Sequence, residues 1–278
     1  MTQCGTPQGV SYGRIMADLR VAFLGGGNIN GELRGIVEHA RPYDVAGTFG
    51  RGDELPSAAD MDVVVEAATQ DAVRERVPSL LDAGVDVILL SVGALADADL
   101  RARLSAPDGA AAGRGMLIAC TGAIGGLDQV RALRAAGTLR AVSIESRKQP
   151  GALMQPWMDA ELRERLTEGD TEIVLADGLA AEVAQQFPSS ANVAAALALA
   201  ADAWDTAIAR IVADPAATRT RHEIRASGEL GEVRVVVENA PSAERPRSSA
   251  VVAWAALRAL DDYARLRGYD GVDGVAFL

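Results

Sequence analysis

Leu19-Arg20-Val21-Ala22-Phe23-Leu24-Gly25-Gly26-Gly27-Asn28-Ile29-Asn30-Gly31-Glu32-Leu33 passes from a short apolar run through three glycines into a helical pattern that reaches about His39. This is strand, glycine turn, helix, and the next ninety or so residues repeat that grammar. Residues 44–49, 61–67, 85–91 and 116–119 read as four more strands. Residues 73–83, closed by Gly84 as a C-cap, and 95–104 read as helices between them. Apolar strands alternating with helices predict a doubly wound parallel α/β sheet.

After residue 126 the pattern changes. Residues 127–136 read as a helix and 139–147 as a strand with one solvated face. Residues 172–175 resemble a strand, 178–187 a helix, and 192–203 a buried, Ala-rich helix. Residues 207–213, 222–227 and 232–238 read as antiparallel strands, the last two joined at Gly228-Glu229-Leu230-Gly231. The last element read from the sequence is an apolar helix over about 249–266. The expected organisation is a flexible extension (1–19), a dinucleotide-binding domain (20–120) and an α+β substrate domain (121–246). The C-terminal stretch 247–278 would pack back on the first domain, beyond a linker-like cluster from Pro241 to Pro246.

A chain of 278 residues has room for two domains. Its net charge of −11 argues against nucleic acid or an anionic membrane as partner. No stretch approaches the roughly 20 apolar residues of a membrane span. Cys4 and Cys120 are the only cysteines, too few for a disulfide framework or a metal site, so the cytoplasm is the default and no metal is expected. An acidic protein that takes an anionic ligand must concentrate positive charge locally.

The first glycine turn stands where a dinucleotide pyrophosphate rests on a helix N-terminus, with Gly25, Gly27, Asn28 and Ile29 as candidate contacts. The usual third glycine is replaced by Asn30. After the second strand, Gly50 stands where a ribose-binding carboxylate is expected, and Arg51 follows. That pair favours NADP over NAD modestly; the other reading has Arg51 solvated and Asp53 on the ribose.

A second glycine turn, Cys120-Thr121-Gly122-Ala123-Ile124-Gly125-Gly126, ends the fifth strand, where open α/β sheets bind ligands. Thr121 is a candidate donor to a substrate carboxylate, and Cys120 reads as a small buried residue. Arg147-Lys148 closes a strand, as a solvated end or as a clamp for a dicarboxylate. Asn192 is an N-cap or an amide ligand for the nicotinamide carboxamide. His222, one of two histidines, is structural or catalytic; His39 reads as a helix end.

These segments together resemble the L-aspartate dehydrogenase family. They are Glu66-Ala67-Ala68-Thr69-Gln70, Ser91-Val92-Gly93-Ala94-Leu95-Ala96-Asp97, the turn Thr121 to Asp128, Ser146-Arg147-Lys148, Phe187-Pro188 before Asn192-Val193-Ala194-Ala195, Val212-Ala213-Asp214-Pro215, His222-Glu223-Ile224 and Gly228-Glu229-Leu230-Gly231. The resemblance implies a Rossmann domain, a catalytic α+β domain and a homodimer. It implies a catalytic role for His222 and cofactor contacts at Ala123 and Asn192. Arg147, Lys148 and Thr121 would then hold the amino-dicarboxylate while His222 exchanges a proton near neutral pH. The chain departs from the family at Asn30, Gly50, Thr121 and the segment 149–168. Two other readings stay open. One is a related imine reductase or amino-acid dehydrogenase with a different substrate; the other is a non-catalytic dinucleotide-binding protein.

Overall fold

The computed structural model describes residues 18–105, 113–242, 248–269 and 274–276. Nearly all of the expected N-terminal extension and most of the expected linker lie outside the described residues.

Five parallel strands form the first sheet: β1 (Leu19–Leu24), β2 (Tyr43–Phe49), β3 (Val63–Glu66), β4 (Asp86–Leu89) and β5 (Leu117–Ala119), in the order β2-β1-β3-β4-β5. The chain leaves β1 for β2 on one side, then crosses back to β3 on the other. That reversal opens a crevice at the C-terminal ends of the strands. Helix α1 (Asn28–Ala40) and the last helix, α8 (Val251–Arg267), pack on one face. There Leu33, Val37, Leu257 and Leu260 meet Val21, Val63 and Val65. Helices α2 (Gln70–Asp82) and α3 (Ala98–Leu104) cover the other face.

Local chemistry moves two boundaries. Helix α2 begins three residues before the expected start because Thr69 caps it, its hydroxyl accepting from the Ala72 amide at 3.1 Å. The expected helix over 95–104 is instead a 3-10 turn, Val92–Ala96, followed by α3. Asp97 separates them, accepting from the Asp99 and Leu100 amides at 3.1 Å each.

The second sheet is mixed, in the order β10-β9-β6-β8-β7. Its strands are β6 (Leu139–Lys148), β7 (Ile173–Leu179), β8 (Ile208–Ala213), β9 (Thr220–Gly228) and β10 (Gly231–Asn239). β9 and β10 form the expected hairpin. β8 corrects the expectation of antiparallel pairing: it runs antiparallel to β7 but parallel to β6. The long connection from β6 to β8 permits a parallel return. It holds α5 (Ala160–Glu168), β7, α6 (Ala180–Gln186) and α7 (Asn192–Ala201). α5 was not foreseen; Asp159 caps it, accepting from the Leu162 amide at 2.8 Å.

With α4 (Leu127–Ala135), helices α6 and α7 cover one face of this sheet. α7 also packs against the 3-10 turn of the first sheet, and its run of small buried alanines allows that close approach. The two sheets thereby share one core. Among the described residues, no helix is long and apolar enough to cross a membrane.

Candidate active site

A cleft of about 1040 Å³ lies between the sheets. One wall is built from the C-terminal ends of β1 to β5; the other comes from the end of β6, the start of α7 and the first residues of β9. It brings together Gly25, Gly27, Asn28, Ile29, Arg51, Thr121, Ala123, Lys148, Asn192 and His222. Of the residues picked from the sequence for ligand contacts, Arg147 does not line it, nor does Asp53, the alternative ribose ligand.

The glycine turn fits a pyrophosphate. Gly25 has φ +101°, and a β-carbon there would stand 2.7 Å from Ala68 Cβ, so the position admits only glycine. A β-carbon on Gly26 would meet nothing within 4 Å, which leaves the backbone open to the cleft. Gly27 caps α1 without a side chain, and the first turn holds no acidic residue. The amides at the helix start are thus left for an anion.

Asn30 is not a spoiled glycine position. Its side chain is buried and donates to the carbonyls of Leu24 and Gly25, each at 2.9 Å. It ties the end of β1 to the turn. Behind the cleft, Glu66 is fully buried and accepts from the amides of Ala68 and Ser91 and from the Ser91 hydroxyl. Burial pushes its carboxyl pKa up, and those donors oppose the shift.

Asn192 is not the N-cap; Ala191 takes that place, with no side-chain bond. Instead Asn192 Oδ1 accepts from the Gly93 amide at 3.0 Å, which orients the side-chain amide and leaves its NH2 as a donor. A β-carbon at Gly93 would stand 2.8 Å from Asn192 Oδ1 and 2.3 Å from Gln70 Nε2, so a side chain there would push both amides aside. After β2, Asp53 is exposed and accepts from the Gly50 amide at 2.8 Å, while Arg51 lines the cleft and is exposed.

The catalytic candidates sit on the covered face of the second sheet. Ser146 and His222 lie opposite each other in the β6–β9 register, with Ser146 Oγ 2.8 Å from His222 Nδ1. His222 is 1% exposed. Burial and the positive charge of Lys148 push its pKa down to about 3, against the near-neutral value expected from its type.

Two residues beyond Ser146, Lys148 is buried as well; its Nζ donates to the Ser190 carbonyl at 3.1 Å, and burial pushes its pKa down to about 8. Among the described residues no carboxylate pairs with it. One sequence signal for this residue was overlooked. Lys148 is the only lysine in the chain, and every other basic residue of the 27 is arginine. Unlike a guanidinium, a buried ammonium can lose its proton near neutral pH.

Arg147 points the other way. A strand alternates faces at every residue, so its guanidinium emerges on the outer face, held by Glu145 at 2.8 Å and by Glu172. Those carboxylates raise its pKa further. The expected Arg147–Lys148 clamp is therefore divided between two faces of one sheet.

Comparison with known proteins accounts for this arrangement. Residues 128–263 match the family model for the C-terminal part of aspartate dehydrogenase, and residues 36–116 match a homoserine dehydrogenase NAD-binding domain model. The chain is 39% identical to the L-aspartate dehydrogenase of Methanosarcina mazei over 75% of each chain. It is 37% identical to L-aspartate dehydrogenase 2 of Bordetella pertussis over 89% of this chain and 92% of that one. The crystal structure of aspartate dehydrogenase from Thermotoga maritima superposes with a TM-score of 0.67 at 26% identity, covering 93% of this chain and all of that one. With its glycine turn, Asn192, Lys148 and His222 around one cleft, the chain belongs to the L-aspartate dehydrogenase family.

Proposed function

We propose that this protein is an NAD(P)-dependent L-aspartate dehydrogenase. It converts L-aspartate to iminoaspartate, which water hydrolyses to oxaloacetate and ammonia, and it also runs in reverse. The observation that carries the reading is the shared cleft: the glycine turn of the first sheet and the Lys148–His222 pair of the second open into one space.

The bound nicotinamide supplies the acceptor for the hydrogen on C2 of the substrate. Gly25, Gly27, Asn28 and Ile29 would hold its pyrophosphate, and Ala123 and Asn192 its nicotinamide end. Thr121 would hold a substrate carboxylate, and Lys148 and His222 would touch the reacting centre. The helices on the covered face of the second sheet exclude water from Lys148 and His222, which strengthens each polar contact there.

The domain division at 20–120 and 121–246, with α8 joining the first part, belongs to this proposal, as does a cytoplasmic homodimer. The preference for NADP rests on Arg51, which lines the cleft, and on Asp53, which does not line it.

The test is the initial rate of NADPH and NADH oxidation with oxaloacetate and ammonium. Oxidation that needs both substrates, and is faster with NADPH, supports the reading. Replacing Arg51 by Ala should then lower the NADPH to NADH preference by about tenfold, the equivalent of one charge-assisted contact. Oxidation with some other 2-oxo acid, and none with oxaloacetate, would move the substrate assignment.

A further inference from the structure

The bond beneath His222 deepens that reading and rests on it. Ser146 and His222 are each 1% exposed, and the Ser146 hydroxyl has no other partner among the described residues. Two hydrogen arrangements fit the 2.8 Å separation. If Nδ1–H donates to Oγ, the Ser146 hydroxyl hydrogen is buried with no acceptor. If Ser146 donates to Nδ1, the one remaining hydrogen of the pair is on Nε2 of a ring that lines the cleft, where water or substrate can accept it. A stranded donor costs more than an unfilled lone pair, so the second arrangement is favoured. The proton of the neutral imidazole then sits on Nε2.

We propose that Ser146 is a positioning residue that holds His222 as the neutral Nε2–H tautomer, so that His222 meets the substrate as a hydrogen-bond donor and Lys148 takes the proton from the substrate ammonium. An Nε2 that already bears hydrogen cannot accept another. The proton must therefore pass elsewhere, and Lys148 is the amine that shares this part of the cleft. The transfer is balanced: the substrate R–NH3+ becomes R–NH2 as the Lys148 amine becomes an ammonium.

The groups around the pair are few. β6 presents Ser146 and Lys148 to His222, and β10 presents Val237 across from it. Arg221 and Glu223, its chain neighbours, bond to each other, and Glu223 also bonds to Arg225 and Arg234 on the outer face. Lys148 faces His222 and the Ser190 carbonyl, with Ala213 beside it on β8.

The test exploits a chain with only two histidines. In protein labelled with 15N-histidine, His222→Ala identifies the His222 ring signals. The expected spectrum of the unmodified enzyme has a bare Nδ1 and a protonated Nε2 from about pH 5 to 9. A protonated Nδ1, or a ring that becomes a cation within that range, overturns the proposal even if aspartate turnover is normal.

Kinetics give the second readout. Ser146→Ala should lower kcat about tenfold with cofactor KM unchanged, and Ser146→Thr should restore it. His222→Gln, which keeps an N–H donor that does not titrate, should retain the acidic limb of the kcat/KM profile at a reduced rate; Lys148→Met should lose that limb. Disappearance of the limb in His222→Gln assigns the proton to histidine and refutes the role of Lys148. Absence of any aspartate turnover in the unmodified enzyme would instead refute the dehydrogenase reading.

Discussion

In the first sheet β3 and β4 are buried along their whole length, and β1 nearly so. In the second sheet β6 alternates between a covered face and an outer one. The outer face carries ion pairs among Arg147, Glu145, Arg221, Glu223 and Arg234. A strand covered on both faces has no side chain to spare for a ligand, so the first sheet works through its strand ends, with backbone amides and glycines. A strand covered on one face offers alternate side chains, and the second sheet works through Ser146, Lys148 and His222. The cofactor site of this protein is thus written in backbone and the proton chemistry in side-chain periodicity.

The strongest way to break that contrast is to remove the side chains on the covered face. His222→Ala and Lys148→Met should each lower kcat by about 100-fold or more while nucleotide affinity stays within about threefold. Kinetics paired with a fluorescence titration of NADPH would check this. Equal loss of both would place these residues in the cofactor site instead.

The complementary change is in backbone. Gly25→Ala should weaken nucleotide binding by about tenfold or more and cost about 1–3 kcal/mol of stability, because φ there is +101° and Ala68 blocks the new carbon. Thermal melts with and without NADPH would read both effects; an unchanged nucleotide affinity would show that the turn is not the cradle.

The covered face should also set the pH dependence of stability. The His222 imidazole, pushed from 6.5 down to about 3, stays neutral in the fold where the unfolded chain takes up a proton. The unfolded state then binds more protons, so stability falls as pH drops from 6.5 toward 3. Lys148, lowered from 10.5 to about 8, makes stability rise with pH between those values. In His222→Gln the acid loss should shrink by on the order of 2 kcal/mol between about pH 6.5 and 4 in urea melts. A slope identical to the parent would contradict the buried neutral ring.

The smallest effect belongs to the outer face. Arg147→Ala should change kcat by less than about threefold and stability by no more than about 1 kcal/mol, since its ion pairs are partly solvated. A loss of about 100-fold in turnover would mean that both faces of the sheet serve the reaction.

Much of this architecture is legible in the residues alone. Apolar runs ending in glycine are legible as buried parallel strands because both faces demand the same residue types, so β1 to β5 and the turn at Gly25 stand where the residues alone put them. The ordered motifs around Thr121, Asn192 and His222 likewise marked the residues that line the cleft. Boundaries set by one capping hydroxyl or carboxylate, at Thr69, Asp97 and Asp159, were harder to see, because each rests on a single hydrogen bond. The direction of β8 was hidden as well, since pairing depends on where a long connection returns.

Arg147 and Lys148 are told apart only once the chain is folded. They are adjacent cations at one strand end, but which face of β6 is covered depends on helices far along the chain. The same packing buries His222 beside Ser146, a residue 76 positions away. Desolvation and a neighbouring charge exist only once the strands are side by side, so the protonation state of the histidine is a property of the fold and not of the residue.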